Sequence, residues 1–231
     1  PEEKISVPRL LLAIASLTMV FYLLPGLWGA PLKQLSGILP PSNHDLGVRI
    51  APVHAATVSG TGGAGQEVCS LDRKYSHLFA EHAPTGFCPF FDLDEALEYA
   101  RKVRKPVFVD YTGVNCANCR EVESYVWTDP EIKRILTTEY VMVSLFTDKG
   151  EKLPEKQTMP DGTVLRTIGD KWKYHEKTRY QQIGQPFYVL VNEQGTDLVP
   201  QGLGYTRDIA AYKAFLLSGL EAWKTHNLTA R

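Results

Sequence analysis

The chain has 231 residues, 44% of them hydrophobic and 10% aromatic, with 25 basic against 26 acidic side chains for a formal net charge of -1. That length and apolar content fit one or two domains with an ordinary core, and exclude a disordered chain or a disulfide miniprotein. Balanced charge offers no broad attraction to phosphate backbones, so nucleic acid is not an expected partner. The sequence opens on Pro1 without Met and is read as a fragment or processed product.

Residues 10–32 read LLLAIASLTMVFYLLPGLWGAPL and carry no charge. At about 1.5 Å rise per residue such a helix reaches about 34 Å, enough for a hydrocarbon core of about 30 Å. Tyr22 and Trp28 suit the headgroup level, and Pro25 and Pro31 fall where the helix could end. A buried core helix would carry a polar stripe, and a signal peptide would open on basic residues rather than PEEK. Residues 1–33 are therefore expected to hold a transmembrane helix. Lys4 and Arg9 precede the run and only Lys33 follows closely, which favours a cytoplasmic N-terminus and an exported remainder.

Residues 34–89 read as a flexible linker followed by a lead-in to a folded domain. Residues 36–68 are dense in Gly, Ser, Pro and Ala, with few large apolar groups to offset ordering entropy. A coil of about 33 residues would reach about 30 Å root-mean-square. His44, His54, His77 and His82 show no metal-ligand spacing and read as solvated surface residues. Cys69 and Cys88 lie in this stretch, and neither belongs to a CxxC. On an exported protein they would form a structural disulfide closing about 20 residues, the alternative being two free thiols.

From residue 90 to the end, helices and strands alternate in one α/β domain. Asp92 caps a helix with Leu93, Ala96, Leu97 and Ala100 on one face, and Asp94 and Glu95 sit in its first turn. Residues 106–112, PVFVDYT, form a near-continuous apolar strand of the kind covered on both faces. A helix over 116–127 follows, then a second opened by Asp129 and Pro130 and running to 139. Residues 140–148 make another strand, 149–169 a polar excursion, and 170–182 a helix. A strand over 186–192, a turn at 193–195, a strand near 197–203 and an amphipathic helix over 206–226 complete a mixed sheet flanked by helices.

The chemistry gathers at VNCANCR, residues 114–120, where Cys116 and Cys119 bracket two residues between strand and helix. Covalent haem attachment needs His after the second Cys, and Arg120 stands there. A zinc site needs two more paired ligands, and inert core cysteines would leave the strand-to-helix placement unexplained. A redox dithiol fits best, and nothing in the reading calls for a metal or a cofactor. A helix starting at Cys116 aims free N–H groups and its positive dipole end at that sulfur, favouring thiolate and making Cys116 the nucleophile. Cys119, one turn on, can attack a mixed disulfide and release the partner.

Asp110 sits six residues before Cys116 inside the apolar strand, where an uncompensated carboxylate is costly. It is a candidate to exchange a proton with Cys119, the alternative being a structural carboxylate. Glu123, four residues after Cys119, shares its helix face and could act on the same proton, or could be a solvated surface residue. Gln185 and Pro186 precede a strand, and their bond is a candidate cis peptide that would leave the Gln185 backbone free to pair with an extended substrate. Asn115, next to the first cysteine, joins Gln185 and Pro186 as a candidate substrate contact.

Asp110, the CANC motif at a strand-to-helix turn and Gln185–Pro186 before a strand together resemble the thioredoxin superfamily. KPVFVDYTGVNCANCREVESYVWTDPEIKRIL is further similar to the C-terminal domain of the DsbD family of transmembrane thiol:disulfide interchange proteins. Two departures stand out: thioredoxin's Trp before the first Cys is Asn115, and an acidic residue that some of these domains carry one position earlier is Val114. The resemblance implies a thioredoxin-like fold behind one transmembrane helix and a linker, anchored in an inner membrane with its C-terminal domain on the periplasmic side. It implies a reductase relay whose partners are an upstream membrane-domain dithiol, of this or another chain, and exported disulfide-bearing proteins or domains. Competing readings are a tethered stand-alone thioredoxin or oxidase, and a non-catalytic docking module.

Overall fold

The computed structural model describes residues 6–24 and 72–229. Helix α1, Val7–Leu23, has Pro8 in its first turn, where a missing N–H costs nothing. Its 17 residues bury no side chain among the described residues, and its rise is about 26 Å. Among the described residues no helix is long and apolar enough to cross a membrane. Positions 25–32 of the expected span, the linker, His44, His54 and Cys69 lie outside the described residues.

The segment before residue 90 is packed onto the domain, with Arg73 and Phe79 buried. Helix α2, Ser76–Phe79, and a 3-10 turn, Ala80–His82, place Phe79 fully inside the core, stacked on Phe146 with centroids 4.7 Å apart. Helix α3, Leu93–Val103, is capped by Asp92 and buries Leu93, Ala96 and Ala100, the 3–4 spacing of one helical face. Strand β1, Val107–Thr112, leads to helix α4, Ala117–Tyr125, with Cys116 as its N-cap, and to helix α5, Pro130–Thr138. Asp129 caps α5 by accepting the N–H groups of Glu131 and Ile132 at 3.0 and 3.1 Å.

Strand β2, Val141–Phe146, pairs parallel to β1, and strand β5, Phe187–Val191, pairs antiparallel to β1 on its other side. Every residue of the three strands is buried. Continuous apolar sequence without alternation is what a sheet covered on both faces requires. Side-chain alternation divides the core. Val107, Val109 and Tyr111 meet Phe79, α3 and Trp172, whereas Phe108 meets Val122, Trp127, the α5 face and Tyr212. Asp110 follows Phe108 to the α4 face. The last helix, α7, Ile209–Thr229, brings Tyr212, Leu216 and Leu220 to that same layer.

The polar excursion over 149–169 is not a loop. It contains a hairpin, β3 Lys152–Thr158 and β4 Val164–Thr167, pinned by Leu153 and Leu165 in the core while the other β3 side chains face solvent. Its charged alternation hid the strands. Helix α6, Ile168–Tyr180, follows with a Thr167 and Asp170 capping box. Its Gly169 is required by contact, since a Cβ there would lie 2.6 Å from the Lys149 carbonyl oxygen. The strand expected near 197–203 is reduced to two isolated bridges, Val191 with Asp197 and Tyr188 with Leu203.

Candidate active site

The C-terminal end of β1 and the start of β5 lie together, with Tyr111 opposite Phe187 and Asp110 opposite Tyr188. The turn after β1 and the Gln185–Pro186 junction before β5 therefore share one end of the sheet. The Gln185–Pro186 peptide is cis. Gly113 to Asn115 carry the chain to Cys116, whose Sγ accepts the N–H of Cys119 at 3.1 Å, and the two cysteines form a disulfide. Cys116 is half-buried and Cys119 buried at 1% exposure, so the sulfur at the helix start is the one a partner reaches.

Asp148, just past β2, holds the approach to Cys116. Its Oδ1 accepts the N–H of Val114 and its Oδ2 that of Asn115, both at 2.9 Å. Asn115 itself is exposed. A Cβ at Gly113 would sit 3.0 Å from the Asp148 carboxyl, so a side chain there would press on the group that holds the turn.

The two acids, Asp110 on β1 and Glu123 on α4, are buried as neighbours, each facing the Arg120 charge. Asp110 is 2% exposed and accepts a hydrogen bond from the Ser144 hydroxyl at 3.1 Å. Burial raises its pKa to about 7, against smaller lowering effects of Arg120 and Ser144. Glu123 is not a solvated surface residue, for its side chain is 9% exposed and ion-paired to Arg120 at 2.7 Å. Burial holds its carboxyl well above the usual range despite Arg120, and the neighbouring Asp110 charge adds to the rise.

Arg120 and Asp148 are the residues sequence reasoning passed over. Arg120 had spoken only against haem attachment, although a cation three residues before Glu123 is a standard helix pair. Its side chain is 10% exposed, and its Nη1 donates to the His82 carbonyl at 3.1 Å while Nη2 faces the Thr112 hydroxyl at 3.3 Å. His82 is correspondingly not a free surface residue. Its side chain is 14% exposed beside Phe146, and burial, then the Lys149 charge, lowers its pKa. His77 is exposed as expected. Cys88 is not a free thiol, and its expected partner Cys69 lies outside the described residues.

Residues 89–193 match the family described as thioredoxin-like. Among solved structures, the chain is similar to a "DsbH Oxidoreductase", at 23% identity over 58% of this chain and 85% of that one, with a TM-score of 0.40. It is similar also to a thioredoxin from Thermus thermophilus, at 23% identity over 55% and 82%, with a TM-score of 0.39. No curated protein matches. The domain thus carries a thioredoxin-like α/β fold with a CxxC disulfide at its strand-to-helix turn.

Proposed function

We propose that the protein is a membrane-anchored thiol:disulfide interchange protein of the DsbD kind, passing electrons from a membrane dithiol through Cys116 and Cys119 to exported disulfide-bearing proteins. The observation carrying this reading is the Cys116–Cys119 disulfide at the start of α4, in a domain that also buries two acids of raised pKa, one on the preceding strand and one on the same helix. In the dithiol form, the Cys116 thiolate attacks an acceptor disulfide, joins one acceptor sulfur and expels the other as thiolate. Glu123 or Asp110 takes the Cys119 proton, and the Cys119 thiolate attacks the Cys116 sulfur. The Cys116–Cys119 bond forms, the acceptor's second thiolate leaves, and the acceptor has gained two electrons and, once its thiolates protonate, two protons. Asn115, Gln185 and Pro186 border this end of the sheet and supply contacts to the acceptor chain.

A dithiol upstream, in this chain or another, returns the domain to its reduced form, since residues 10–32 contain no Cys. Anchorage is supported by α1, where Leu11, Leu12 and Phe21 are exposed at 60 to 70%. Its Ser16 and Thr18 hydroxyls are satisfied within the helix, by the Leu12 and Ile14 carbonyls, both at 2.8 Å, as a lipid surround demands. The charge bias around the apolar run supports an inner-membrane protein with this domain on the periplasmic side. The reduction potential of the Cys116/Cys119 pair tests the direction of flow. A value near about -270 mV is expected for a reductase, and one near about -120 mV would make the protein an oxidant.

A further inference from the structure

We propose that Arg120 is a positioning residue that governs the proton affinity of Glu123 and thereby the pH at which Cys119 resolves a mixed disulfide. The inference rests on the reading of Cys116 and Cys119 as an exchanging pair. Arg120 follows Cys119 directly and turns its guanidinium inward, to 10% exposure, rather than to solvent where arginines ordinarily lie. Its acceptors come from three parts of the chain. Glu123, one turn on, takes Nη2 at 2.7 Å; the Thr112 hydroxyl and Gly113 carbonyl at the end of β1 face Nη2 at 3.3 and 3.5 Å; and the His82 carbonyl takes Nη1.

That mixture of acceptors suits a proton carrier. A buried arginine paired with a carboxylate alone would be left uncompensated each time the carboxylate took up a proton, at high cost. Here two backbone carbonyls and a hydroxyl stay in place, so the cation remains hydrogen-bonded when Glu123 becomes neutral. Glu123 is thereby free to alternate between carboxylate and acid while the CxxC helix keeps its position. The other titratable groups around the pair are Asp110 on β1, Tyr188 on β5 and Tyr212 on α7, with His82 behind Arg120, and Ser144 on β2 holds Asp110. Among the described residues, Arg120 is the cation paired with Glu123, and its charge acts on both acids. Its removal leaves the carboxylate form of Glu123 unsupported.

Arg120→Gln in the full chain should therefore hold Glu123 protonated to higher pH, where it cannot take the Cys119 proton. The release of a mixed disulfide between Cys116 and a chromogenic aryl thiol is followed from pH 5 to 10. Arg120→Gln is expected to move the midpoint upward by at least one pH unit and to slow release at pH 7 by about 10-fold or more. Arg120→Lys, which keeps the charge but not the fork, should shift it less, and serves alone if the glutamine variant does not fold. In a Glu123→Gln background, Arg120→Gln should produce less than half the shift seen in the native background. A parallel carbon-13 titration of the Glu123 carboxyl should move the same way. An unshifted midpoint with a lowered melting temperature, or equal shifts in both backgrounds, overturns the proposal. A native protein that forms no mixed disulfide at all would instead overturn the exchange reading on which it rests.

Discussion

Ser144 donates its hydroxyl to Oδ2 of Asp110 at 3.1 Å, joining adjacent parallel strands by a side-chain bond at a point where the sheet is sealed on both faces. One neutral donor does not offset the burial of a full charge, and the Asp110 pKa sits at about 7. In the unfolded chain the same group titrates near about 3.9. Between those values the native state keeps a proton that the unfolded state releases. Stability from this group is therefore full below about pH 4 and declines as pH rises to about 7, by an amount on the order of 4 kcal/mol. Asp110→Asn should remove that decline, raising the unfolding free energy of the oxidised protein at pH 8 by about 2 to 4 kcal/mol and flattening its pH profile. Urea denaturation at pH 4.5 and pH 8 measures both, and a variant destabilised equally at the two values would contradict the assignment.

The two cysteines should differ in reactivity. Cys116 is half-buried and caps α4, so its thiolate gains from the Cys119 N–H and the helix dipole, whereas Cys119 is sealed. In reduced protein at pH 7, iodoacetamide should modify Cys116 at least about 10-fold faster than Cys119, read by peptide mass mapping. Cys119→Ser should accumulate mixed disulfides with an acceptor, and Cys116→Ser should form none. Equal labelling of the two thiols would reverse the assignment of nucleophile.

Asp148 should act on the turn rather than on the electrons. Its carboxylate satisfies two successive backbone N–H groups before the redox motif, a role like that of a helix cap. Asp148→Ala should cost about 1 kcal/mol, the usual value for losing such a cap. Amide exchange at Val114 and Asn115 should accelerate several-fold while β1 stays protected. Asp148→Asn keeps one acceptor oxygen and should retain part of the protection. Unchanged exchange at both amides in the alanine variant would remove Asp148 from the site.

The central strands and the redox turn were readable because their signals are local. PVFVDYT is apolar but for Asp110 and Thr112, FYVLV is apolar throughout, and CxxC at a strand-to-helix junction states its own chemistry. Helix starts were legible through Asp92 and Asp129, whose side chains do cap. The hairpin over 152–167 was lost because only Leu153 and Leu165 reach the core, and a strand with a single buried residue has no period to detect. Arg120 and Asp148 were lost for a different reason. Asp148 meets Val114 only because β2 pairs parallel to β1 in a register that sets Thr112 beside Phe146, and no local pattern encodes that register. The inward turn of Arg120 likewise depends on the His82 carbonyl, 38 residues away.

Phe79 offers the clearest measure of where the folded unit begins. The sequence ahead of residue 90 reads as a lead-in outside the folded domain, yet Phe79 is fully buried, stacks on Phe146 and lies 5.7 Å from Phe91 between ring centroids. Truncating a buried phenylalanine loses its transfer free energy and leaves a cavity, together about 3 to 5 kcal/mol. Phe79→Ala should lower the unfolding free energy by that amount in a single cooperative transition, since its contacts belong to the same core as Val143 and Leu145. His77→Ala, three residues before the 3-10 turn begins and exposed, should change it by less than about 0.5 kcal/mol. Both are read from urea midpoints at constant slope. A loss below about 1 kcal/mol for Phe79→Ala would mean that the lead-in segment rests on the domain without being part of it. A loss in the expected range would show that the unit supporting Arg120 through His82 starts well before the first helix of the sheet layer.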